Sequence, residues 1–113
     1  MTVNGTNLSM TRGDSESITV SCTDGDGEAI DFEVGDIIYL TVKSRTATAD
    51  IGFQKVITVF EGGKAVINID PIDTKSLKFI DYVYDVQWTT STGTVTTIVK
   101  PSTFTIEGEV TYD

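Results

Sequence analysis

The sequence predicts an all-β fold, an immunoglobulin-like antiparallel β-sandwich of about seven strands with one short helical turn near residues 71–77. Three observations carry that prediction. Apolar and polar residues alternate with period two through most of the chain, clusters of Gly, Asp and Ser punctuate it, and only Asp70-Pro71 opens a stretch with helix-start chemistry. A length of 113 residues suits a single domain spanning 1–113, and 39% hydrophobic with 22% charged residues is the balance of a chain that packs a core.

Leu8-Ser9-Met10 reads as a short first strand, followed by the turn residues Arg12, Gly13, Asp14 and Ser15. Gly13 supplies the positive φ that a sharp bend needs, and Asp14 or Ser15 can accept hydrogen bonds from the turn's amides. Arg-Gly-Asp is also an adhesion signal, but that role needs a protruding loop on a secreted protein. Integrin binding is therefore not expected, and a corner between strands is.

From Ser15 the pattern alternates, with Ile18, Val20 and Cys22 on one face and Thr19, Ser21 and Thr23 on the other. Cys22 is the only cysteine and shares the apolar parity, so it reads as a core thiol; no intrachain disulfide can form, which fits a reducing interior. Residues 22–36 then hold three glycines and six acidic residues, the composition of a solvated connection. A calcium loop counted from Asp24 would need glycine at its sixth position and glutamate at its twelfth, and these are Ala29 and Gly35.

The next strand covers residues 36–43, and another covers 51–60, where Lys55 shares parity with Phe53 and Ile57 and so points to a bulge or an edge. Gly62-Gly63 marks a hairpin turn, after which Ala65, Ile67 and Ile69 alternate cleanly. Asp70 and Pro71 start the helical turn. The most apolar strand follows, with Ile80, Tyr82, Tyr84, Val86 and Trp88 on one face, which makes it central and makes Tyr84 and Trp88 core aromatics. Tyr82 is placed to act as a tyrosine corner, its hydroxyl bonded to backbone in the preceding connection. Tyr39 and Tyr112 are the rings expected on the surface. A turn at 91–93 leads to strands at 94–99 and 102–110, with Pro101 marking a sheet edge or a bulge between them.

Function is bounded mainly by what is missing. The charge of −9, with no basic cluster, disfavours nucleic acid and anionic membranes as partners. The start of the chain has neither a basic region nor an apolar run, so secretion by a signal peptide is not expected. No histidine is present, which removes the usual nucleophile–base pairs, and no catalytic residue, metal or cofactor is expected. Asp81 and Asp85 share a strand face, but four residues separate them by ~13 Å, beyond the ~5–9.5 Å of a glycosidase pair. A carbohydrate-binding or adhesion module is an alternative, since exposed rings stack on sugars, although parity assigns Tyr82, Tyr84 and Trp88 to the core.

Four phrases occur in a familiar order: "MTRGDSESITV", "DGDGEAID", "GKAVINIDPIDTKSL" and "YVYDVQW". Across residues 7–107 the chain resembles the N-terminal immunoglobulin-like domain of the upper baseplate protein of phages that infect Gram-positive bacteria. It departs from that family's layout at Phe79-Ile80-Asp81, where a glycine-containing turn is more usual. The resemblance implies a non-catalytic structural protein of a phage or prophage tail. Its implied partners are other tail or baseplate proteins, or copies of itself, met first in the bacterial cytoplasm and then in the virion tail.

Overall fold

The computed structural model describes residues 2–4, 6–44 and 51–109. Among these the chain forms ten strands and one helix: β1 (Thr2–Asn4), β2 (Asn7–Thr11), β3 (Glu16–Val20), β4 (Cys22–Thr23), β5 (Ala29–Ile30), β6 (Ile37–Lys43), β7 (Ile51–Ile57), β8 (Ala65–Ile69), α1 (Pro71–Thr74), β9 (Asp81–Thr89) and β10 (Val95–Glu107). The larger sheet has the order β1-β2-β10-β9-β6-β7, and the smaller sheets pair β3 with β8 and β4 with β5. The neighbours β10, β9 and β6 stand in the G-F-C order of immunoglobulin domains, with the β3/β8 pair as the facing B and E strands, so the sandwich expected from the alternation is present.

Alternation decides the core. On β6 Ile38, Leu40 and Val42 are buried, and on β9 Tyr82, Tyr84 and Val86. With Phe104 and Ile106 of β10 and Leu8 and Met10 of β2 they face Val20, Ala65, Ile67 and Ile69 of the smaller sheet. Each of the Leu, Ile, Val, Phe and Met side chains among them contributes roughly 1.5–3 kcal/mol by leaving water. Phe104 is the hub of an edge-to-face set, its ring 5.9 Å from those of Phe53 and Tyr84.

Several expectations are corrected. The count is ten strands, because short hairpin strands flank the main ones. One pair is parallel, with Leu8 to Thr11 of β2 in register with Phe104 to Glu107 of β10. The strand expected through residues 15–23 breaks at Ser21, and Ile18 and Cys22 are only half-buried against the core. The stretches at 94–99 and 102–110 are one strand, β10, with register shifts between Thr97 and Val99 and between Val99 and Ser102. Pro101 falls inside the second irregularity, where a missing N–H breaks no ladder bond. Residue 110 lies outside the described residues, as does Tyr112, while Tyr39 is half-buried rather than exposed. Ile80 is 43% exposed, because β9 begins one residue later and the bend at Phe79-Ile80 turns it outward.

Lys55 conforms to its sequence signal. β7 is an edge strand, and Lys55 reaches Asp73 at 2.6 Å and Asp70 at 3.3 Å beside α1. Burial pulls its ammonium pKa down, but the hydrogen bonds to Asp73 and Asp70 outweigh that and the net shift is upward. Asp73 also accepts the Asp70 N–H at 2.7 Å, which fixes the start of the helix. Gly62 and Gly63 form a two-residue turn with both φ positive, closed by reciprocal 3.0 Å bonds between Glu61 and Lys64. The expected hairpin goes no further, because β7 joins the larger sheet and β8 the smaller.

Candidate functional site

The turn residues Arg12 to Ser15 form a packed corner at one end of the sandwich. Asp14 N–H donates to the Thr11 carbonyl at 3.2 Å, and Gly13 has φ +84°. Gly13 N–H donates to the hydroxyl of Thr74, a fully buried residue of α1, at 2.8 Å. Arg12 donates from Nε at 2.9 Å and from Nη2 at 2.6 Å to Glu109 Oε1, and from Nη1 to the Leu77 carbonyl at 3.3 Å. Its guanidinium also lies 4.3 Å from the centre of the Phe79 ring. All three guanidinium nitrogens of Arg12 thus donate within the corner.

Tyr82 extends the same corner, its hydroxyl accepting the Lys78 N–H at 2.9 Å. That is the tyrosine-corner geometry, with the bonded amide in the connection before the strand. Tyr84 is buried and donates to the Thr6 carbonyl, and burial raises its phenol pKa. Trp88 is half-buried with its ring 5.1 Å from Phe32, edge to face, so it is not a free stacking platform.

At the opposite end Asp36 is buried and joins two loops. It accepts the Glu33 N–H at 2.9 Å and the Ser91 N–H at 3.2 Å. The Glu33 bond does most to hold its carboxyl below the ordinary value, desolvation opposes it, and the dipoles of Trp88 and Ser91 assist. The Trp88 Nε1 is buried and makes no hydrogen bond that meets bonding geometry. In the β4–β5 hairpin Asp24 accepts the amides of Asp26 at 2.9 Å and Glu28 at 3.0 Å, so its carboxylate is spent on the turn. Among the described residues no group of three or more His, Cys, Asp or Glu is arranged to hold a metal ion.

The outer face of the larger sheet carries a shallow groove of about 360 Å³, lined by Thr41, Lys43, Gln54, Val83, Asp85 and Gln87 among others. Gln54 donates to Thr41 at 2.9 Å across β7 and β6. Burial raises the pKa of Asp85, and the charge of Lys43 partly offsets that. Asp81 is not part of the groove; it accepts the Thr105 hydroxyl at 2.7 Å.

Sequence reasoning did not single out Asp36, Thr74 or Glu109. In the sequence Asp36 marks only a strand start, although an acid after Glu33-Val34-Gly35 is also a turn signal. For Thr74 and Glu109 the partners lie 61 and 97 residues away, and nothing local announces them. No family model, curated protein or solved structure matches the chain. Among the described residues no helix is long and apolar enough to cross a membrane.

Proposed function

We propose that this domain is a non-catalytic assembly module of a phage or prophage tail or baseplate, acting through protein–protein contacts. The observation that carries the reading is the meeting of its recognisable phrases in one corner. Arg12 and Gly13 of "MTRGDSESITV" bind Leu77 and Thr74 of "GKAVINIDPIDTKSL", and Tyr82 of "YVYDVQW" accepts the amide that follows. Residues held this way serve as framework, which supports a part built to keep its shape in an assembly. The test is to purify the chain with the tail and baseplate proteins encoded beside its gene and measure mass by light scattering. A defined complex is expected. A chain that stays monomeric with all of them, encoded far from any tail gene, would overturn the proposal.

The outer groove favours a second reading, glycan binding, because Asp85, Gln54, Gln87 and Thr41 offer clustered hydrogen-bonding groups. A blank glycan array would remove it.

A further inference from the structure

Among the described residues strand β3 pairs with β8 alone, and its other edge has no neighbouring strand. In an antiparallel ladder every second residue turns its N–H and C=O away from the partner, and β3 therefore offers a row of donors and acceptors on that side. Natural edges are blunted by lysine, proline or bulges, whereas Ser17 and Thr19 supply none of these. Beside the edge, between the two layers, runs a slot of about 440 Å³. Residues 17–21 line it with Leu8, Leu40, Val86 and Val99 and the polar Thr6 and Tyr84, and among the described residues no charged side chain does.

The slot has a topological cause. In the ABED sheet of constant-type immunoglobulin domains the first strand lies beside the second. Here β2 runs alongside β10 in the opposite sheet instead, and among the described residues no strand takes that place beside β3.

We propose that this edge binds one extended strand of another protein, apolar on alternate residues and flanked by lysine or arginine. The backbone row requires an extended partner, and the pleat sends every second side chain into the apolar slot. Just past Ser21 the chain enters the hairpin bearing the exposed carboxylates of Asp26 and Glu28, which favours a basic flank. A second copy brings the same charge of −9 and meets repulsion. The proposal rests on the protein-binding part of the function proposed above, not on the tail origin.

The test titrates the full chain with peptides of the form Lys-Thr-X-Thr-X-Thr-X-Lys, where X is Val, Ile or Leu, and with a control where X is Ser. Hydrogen exchange is read by NMR at each amide. The apolar peptides should slow exchange at alternate β3 amides by about tenfold or more, and the control should not. Val99→Lys should abolish that protection while leaving β8 amides as slow as before. Asp26→Lys with Glu28→Lys, both on the exposed hairpin, should weaken binding by about tenfold at low salt only. No β3 protection with any apolar peptide overturns the proposal, as does protection that survives Val99→Lys. A free chain that dimerises through β3 also overturns it, in favour of a second copy. Tail-protein complexes that persist in Val99→Lys sink the slot but leave the assembly reading standing; peptide binding without any tail complex does the reverse.

Discussion

Replacing Gly13 with alanine tests whether the Arg-Gly-Asp corner is framework. With φ at +84°, an L-residue there costs about 1–2 kcal/mol in backbone conformation. The stiffer unfolded chain returns roughly 0.4–1 kcal/mol of that. The new methyl would lie 3.0 Å from Glu109 Oε2, on a carboxylate that Arg12 grips through its other oxygen, so relief requires loosening the clamp. A net loss of about 1–2 kcal/mol follows once the contact is added to the backbone cost. With a urea slope of about 2 kcal/mol/M, the unfolding midpoint should fall by roughly 0.5–1 M at unchanged slope. Trp88, packed on Phe32, is the fluorescence reporter. Gly13→Asn should fall between wild type and alanine, since asparagine tolerates the backbone but not the contact. An alanine variant as stable as wild type would refute the framework reasoning.

Tyr82→Phe removes the acceptor of the Lys78 amide and should cost about 1–2 kcal/mol, seen as a lower melting temperature with the same fold by circular dichroism. Asp36→Asn should destabilise at neutral pH. Because the folded pKa of Asp36 is depressed, its contribution is present above the unfolded value and disappears as pH falls through the folded one, so the gap to wild type should close below about pH 4 in urea titrations. A double-mutant cycle of Lys55→Met with Asp73→Asn should return a coupling of about 1 kcal/mol. The raised pKa of Lys55 means that this coupling should hold through neutral pH and fade only above about pH 10.4, the unfolded lysine value.

Much of the architecture was legible because period-two alternation survives on the interior strands. On β9, Tyr82, Tyr84 and Val86 are buried where parity puts them. Legibility failed where a local irregularity shifts the parity. The bend at Phe79-Ile80 exposes an isoleucine that alternation assigns inside, and the bulges around Pro101 join two expected strands into one. The Gly13 turn could be read because positive φ leaves a mark in composition, but its partners Thr74 and Glu109 could not, since long-range contacts leave none. The slot beside β3 was equally invisible. Which sheet receives the first strand is a choice between pairings that the sequence of "NLSMT" does not distinguish.

The parallel union of β2 and β10 also sets how the domain bears load. Tension between its two ends first peels β1, a three-residue hairpin arm, from β2. The pull then runs along the common axis of β2 and β10 in opposite senses. The paired positions from Leu8 to Thr11 and from Phe104 to Glu107 are loaded in shear, all together rather than one after another. Rupture requires these bonds to slip at once, whereas strands pulled apart sideways would part singly. A chain whose first and last long strands clasp in this way resists stretching at its ends, and it cannot complete that clasp until its final strand is in place.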